Sequence, residues 1–285
     1  MLELIKRLLP LFMSAKPPNV YSLFPRSDDD VDIFYWCSRI LGLDVEVAKT
    51  CFLTQLDHCK ADKPPKHEFL KAYLTLHLNG KKFYIRMIIH RTPAPIVEVD
   101  PDAAKPQRTS TTSLPSPHST ISSRSPSPCS KLSEHLLGIL EKGHPVPAND
   151  RVIIIIGGKD KDFDNACTKI FGHNITLNSL SIGEQHTPMS APQLATVLEV
   201  AHNIAPNYSL KKYQCYWYAL IVFLMARKQT KGDESNECIE TLGKLWWVAP
   251  THTAEDDENV AQEEYDRAWA QFQVSRCKFL FRNNN

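Results

Sequence analysis

The longest apolar signal in the chain lies within residues 207–228, NYSLKKYQCYWYALIVFLMARK, where the eleven positions 216–226 carry no formal charge and are nearly all apolar. That is too short for the roughly 20 residues a membrane-spanning helix needs, and a helix apolar on every side must be wrapped by the rest of its domain. The segment therefore predicts a buried core helix. Ser209 is placed to cap its start, and Arg227 and Lys228 fall in the last turn, where cations suit the carbonyl end of the helix dipole.

The clearest period-two pattern precedes it, in HEFLKAYLTLHLNGKKFYIRMIIHR. Asn79-Gly80 supplies the positive φ angles of a type I′ turn between two runs rich in β-branched and aromatic residues, so a hairpin is predicted over 67–78 and 82–91. Leu70, Ala72, Leu74, Leu76 and Leu78 share one face of its first strand. Residues 151–156, with Ile153 to Ile156 as a bare aliphatic run, predict a strand buried on both faces of the same sheet. A further short strand is expected around 175–180.

Helical spacing predicts the remaining elements. One helix runs through 28–40 with Asp28 to Asp30 at its start, and a second over 44–58 buries Val45, Ala48, Cys51, Phe52 and Leu56. Short helices are expected at 131–142 and around Leu242, Leu245 and Trp246. Ser190-Ala191-Pro192-Gln193 has the capping-box form ahead of Leu194, Val197, Leu198, Ala201 and Ile204. A last helix, about 255–280, begins acidic and ends basic and docks through Tyr265, Ala268, Trp269 and Phe272.

Composition changes this picture at two places. Residues 1–27, with Pro17, Pro18 and Pro25, read as a peripheral N-terminal arm rather than a cleaved leader. Thirteen of the 22 residues 109–130 are Ser or Thr and four are Pro; such a tract buries too little apolar surface to offset its ordering entropy. A disordered Ser/Thr/Pro-rich insertion at 98–130 is thus expected to interrupt a single domain, 28–285, since a long surface loop costs only logarithmically in closure entropy. The fold class expected is α+β, a small antiparallel sheet packed on a buried central helix with surrounding helices.

Lys plus Arg number 33 against 32 Asp plus Glu, a net charge of +1, which gives no electrostatic footing for nucleic acid or an anionic membrane. Eight cysteines without a CxxC pair read as free thiols in a reducing, cytoplasmic or nuclear, compartment. Asp57, His58 and Cys59 lack a second pair at ligand spacing, so no metal is expected there. GGKDKD at 157–162 lacks the GxxxxGK[ST] spacing, and its aspartates would repel a phosphate. No cofactor is expected.

The chemistry that remains is Cys215 at the head of the core helix and His67 at the entrance of the hairpin. HEFLKAYLTLHLNGKKFYIRM with APNYSLKKYQCYWYA resembles a family of uncharacterised proteins from mushroom-forming, basidiomycete fungi, a likeness over most of 60–228 that carries no function. The order of a strand-entry His, a hairpin and a helix-start Cys followed by an aromatic is also similar to circularly permuted papain-like enzymes, among them lecithin:retinol acyltransferase-like proteins. That resemblance implies Cys215 as nucleophile and His67 as its base, with His77, His90 or Asp150 orienting the imidazole and Gln214 where Asn is usual. A thiolate is the nucleophile such chemistry needs. The other reading is a packed core thiol in a non-catalytic domain that binds a protein partner through its sheet edge or aromatic helices.

Overall fold

A computed structural model describes residues 20–24, 29–43, 45–62, 66–94, 144–209, 212–236 and 254–283. In chain order they form α1 (Val20–Leu23), β1 (Asp29–Asp32), α2 (Ile33–Ser38), α3 (Val45–Ala48), β2 (Cys51–Ala61), β3 (Glu68–Leu78), β4 (Lys81–Pro93), β5 (Val146–Ile156), α4 (Asp160–Phe171), β6 (Asn174–Ser181), β7 (Met189–Ser190), α5 (Ala191–Ile204), β8 (Asn207–Tyr208), α6 (Cys215–Thr230), β9 (Asp233–Asn236) and α7 (Ala254–Asn283). The insertion at 98–130, the helix at 131–142 and the helix around Leu242 lie outside the described residues.

The fold is α+β. Nine strands pair antiparallel in the order β1-β5-β4-β3-β2-β6-β9, with β7 added to β2 and β8 to β5. The hairpin of β3 and β4 is the centre of this sheet, turning at Asn79 (φ 51°) and Gly80 (φ 73°) as the Asn-Gly pair requires.

Alternation then sorts side chains onto two faces. Leu70, Ala72, Leu74 and Leu76 of β3, Ile85, Met87 and Ile89 of β4, and Val152 and Ile154 of β5 join the main core, which α2, α5, α6 and α7 cover. Phe69, Ile88, Ile153 and Ile155 point the other way, into a smaller core closed by Phe163, Cys167 and Phe171 of α4. The strand at 151–156 is buried on both faces for this reason.

α6 is the expected core helix, and every residue from Cys215 to Ala226 is buried. It begins at Cys215 rather than at Ser209. Gln214 stands at its N-cap, and Lys231 ends it with φ 53°. α5 carries the predicted capping box, with Ser190 N–H donating to Gln193 Oε1 at 2.9 Å. α7 docks on α5 and α6 through Ala261 and Tyr265, and Trp217 Nε1 donates to its Asp257 at 2.9 Å.

Three sequence expectations change. The helix expected over 44–58 stops at Ala48, and 51–61 is strand β2. A bulge at Thr54, between the pairs Leu53–Leu74 and Gln55–Tyr73, shifts its alternation by one, so Cys51, Leu53 and Leu56 all reach the main core at a spacing that mimics a helix. The helix expected from 28 begins at Ile33; Asp29–Asp32 pairs with β5 instead, and Asp32 caps α2 by accepting the Phe34 N–H at 2.8 Å. Within the segment read as a peripheral arm, Val20, Leu23 and Phe24 are buried in the main core.

Candidate functional site at the head of the core helix

Because of the Thr54 bulge, β2 turns His58 and Lys60, rather than Asp57 and Cys59, toward α6. Lys60 lies opposite Glu68 in the register, and His58 lies diagonal to it. Glu68 Oε1 accepts from Lys60 Nζ at 2.9 Å, and Oε2 meets His58 Nε2 at 2.8 Å, all three side chains at most 6% exposed. Burial works to raise the Glu68 carboxyl, but the hydrogen bonds and charges of His58 and Lys60 outweigh it and hold the group below its ordinary value.

A second buried cluster lies on the same face. Arg91 of β4 is directly opposite Asp150 of β5 and grips it with Nε to Oδ1 at 2.6 Å and Nη2 to Oδ2 at 2.7 Å. His202 of α5 completes the carboxylate through Nδ1 at 2.7 Å. The guanidinium lies 4.5 Å from the ring centre of Tyr218 and 5.6 Å from that of Trp217, in the first turn of α6.

Cys215 sits at this head of α6, 3% exposed. Burial first, and the Glu68 carboxylate with it, push its thiol up to about 11. Hydrogen bonds from the Glu68 and Tyr216 main chain and from the Tyr208 hydroxyl pull the other way and are too weak to reverse the shift. At neutral pH the group is a thiol.

His67 is placed elsewhere. Its ring turns to the α4 face, stacked on Phe171 at 5.1 Å and edge-on to His90 at 5.8 Å. Burial lowers its pKa to about 4. Cys215 belongs to the helix on the opposite face, so the sheet lies between the two side chains. Of the proposed orienting groups, His90 is beside His67, Asp150 orients His202 on the other face, and His77 is exposed at the far end of β3.

The Glu68 and Asp150 clusters escape a reading of local motifs because their members come from separate elements. Asp150 is 59 residues from Arg91 and 52 from His202. Only the strand register, together with the one-residue shift at Thr54, could reveal them. Among the described residues no three His, Cys, Asp or Glu side chains are grouped to hold a metal ion.

Neither a family model, nor a curated protein, nor a solved structure matches this chain. No helix among the described residues is long and apolar enough to cross a membrane.

Proposed function

We propose that this chain is a non-catalytic intracellular protein-interaction domain. Its polar clusters serve to fix the core helix on the sheet, and its partner is met by side chains outside the core. The observation that carries this reading is the aromatic surface beside edge strand β1, where Tyr21, Phe34 and Tyr35 are 55%, 41% and 47% exposed. Arg39 ties Tyr35 to Tyr21, donating to the Tyr35 hydroxyl at 2.7 Å and to the Tyr21 carbonyl at 3.3 Å, and Phe34 lies edge-on to His202 at 4.4 Å. Large aromatics held rigidly at a surface are the residue type that anchors protein interfaces.

The sealed Cys215 supports the same reading, since a buried thiol held at about 11 offers neither a thiolate nor access to a substrate. Cys37, Cys51, Cys59, Cys167 and Cys215 are free and buried, in keeping with a reducing compartment. The balanced charge gives no support to a nucleic-acid partner.

Two assays test the proposal together. An ester- and amide-hydrolysis screen comparing the wild type with Cys215→Ser is expected to show no Cys215-dependent turnover. A photocrosslinker placed at Tyr35 is expected to trap one protein, and Phe34→Ser in that background is expected to abolish the adduct. Turnover that disappears in Cys215→Ser, or an adduct indifferent to Phe34→Ser, would overturn the reading.

A further inference from the structure

The face of the sheet opposite α6 holds a pair of histidines for which the proposed function has no use. His90 of β4 lies directly opposite Phe69 of β3, and His67 is two positions before Phe69. Phe171, the last residue of α4, rests on all three rings: 4.3 Å from Phe69 and 5.1 Å from His67, both stacked, and 5.3 Å from His90, edge-on. His67 Nε2 and both ring nitrogens of His90 are buried without a hydrogen-bond partner among the described residues. Two imidazoles give only two ligands and no third joins them among the described residues, so their available chemistry is protonation rather than metal binding.

We propose that His67 and His90 form an acid-sensitive latch for α4, which holds the helix on the sheet while both rings are neutral and lets it lift locally when either ring takes a proton. The proposal does not depend on the interaction reading above.

The surroundings decide the direction. From β5, Arg151 is paired across the strand with His90, and its cation is shared with Asp30 at 2.9 Å. From α4 the facing groups are Phe171 and Cys167, and from β2, Cys59, all members of the smaller core. Glu68, next to His67, and Asp150, next to Arg151, turn to the α6 face, where His58, Lys60, Arg91 and His202 engage them. A proton on either ring therefore meets an apolar layer, a second imidazole and a guanidinium; the Glu68 charge favours it on His67 and the Asp150 charge on His90, but burial outweighs both. Burial accordingly lowers His67 to about 4, and burial with the His67 and Arg151 charges lowers His90 to about 3. Once α4 lifts, both rings meet water, where an imidazole titrates near 6.5.

α4 is also tied to the sheet by the packing of Phe163 and Cys167, Phe163 lying edge-on to Tyr73 at 5.5 Å, and by ion pairs between nearly buried cations and exposed carboxylates, Lys71–Asp164 at 3.0 Å and Arg86–Asp160. Among these ties the ring stack is the one that contains imidazoles, so it is the tie that acid loosens. Lifting α4 uncovers Phe69, Ile88, Ile153 and Ile155, an apolar strip of sheet that is closed at neutral pH. His173, just past α4 and 3.7 Å from Asp62, is exposed and is the control for a histidine outside the stack.

Hydrogen exchange on the full chain tests the latch, with protection factors compared between about pH 7.5 and about pH 5, the latter chosen above the ordinary carboxylate range. Amides of α4 are expected to lose protection by roughly 30-fold for each histidine the opening frees, the ratio set by pKa values of about 4 and about 3 against 6.5, through a local opening that sub-denaturing urea barely promotes, while α6 exchanges only through global unfolding, stays more protected than α4 at both pH values and responds steeply to urea. His90→Leu and, as a second variant should that one fold poorly, His67→Phe are each expected to recover about 30-fold of the loss; His173→Asn is expected to recover none. Equal protection and equal urea dependence of α4 and α6 at about pH 5, or an equal loss in wild type and both latch variants, would overturn the proposal.

Discussion

Arg91 and Asp150 face each other across β4 and β5 as a two-pronged pair, 2.6 and 2.7 Å long, with neither side chain exposed. Taking both charges out of water is costly, and the pair persists because His202 and two aromatic rings of α6 close its remaining sides. Burial would raise the Asp150 carboxyl, yet Arg91 and His202 hold it below its ordinary value.

Removing one partner should therefore cost far more than removing both. Arg91→Met is expected to lower the unfolding free energy by roughly 3–5 kcal/mol, since it strands a buried carboxylate, and adding Asp150→Leu is expected to recover much of that. Urea unfolding of the two single variants and the double one checks this. Additive losses would show that the pair is not coupled.

The hairpin turn gives a backbone prediction. Gly80 has φ 73° with nothing within 4 Å of where a Cβ would sit, so Gly80→Ala meets conformational strain without a clash. It is expected to cost about 1 kcal/mol, read as a lower urea midpoint with an unchanged slope. Replacing Gly42, which has no positive φ and no near neighbour, should change little by comparison.

These residues also show how far the sequence could be read. The hairpin, the strand at 151–156, the strand near 175–180, the capping box of α5 and the core helix were legible because each is fixed by local pattern: period two, Asn-Gly, Ser-x-x-Gln or an unbroken apolar run. β2 was not, because the bulge at Thr54 places Leu53 and Leu56 on one face at a helical interval. Helix α4, starting at Asp160, was missed because DKDFDNACTKIF buries only Phe163, Cys167 and Phe171, too thin a stripe to stand out. The head of α6 was legible as the place where Cys215 was to be sought as a nucleophile. Which side of the sheet His67 faces was not, since that depends on strand register and on α4, whose Phe171 it stacks against.

The buried histidines set the pH dependence of global stability. His67 and His90 have folded-state pKa values of about 4 and about 3, below the unfolded value near 6.5. Between those limits the unfolded chain binds protons that the folded chain does not, so stability falls as pH drops below about 6.5, by up to about 1.4 kcal/mol per pH unit for each histidine. Glu68 and Asp150, both held low, add their loss only below the ordinary carboxylate range. Urea midpoints measured at intervals between pH 7.5 and 5 are expected to decline steadily in wild type and less in His90→Leu; a flat profile would contradict the burial of neutral imidazoles.

The reading of α6 as a sealed structural helix, with its polar head built for packing, is tested most directly by alkylating the native protein with iodoacetamide and following each cysteine by mass spectrometry. Cys215 is expected to label no faster than the other buried thiols, to label only on the timescale of opening, and to be indifferent to His67→Ala, because the sheet separates the two side chains and burial holds the thiol near 11. Rapid labelling of Cys215 near neutral pH, slowed selectively by His67→Ala, would contradict it.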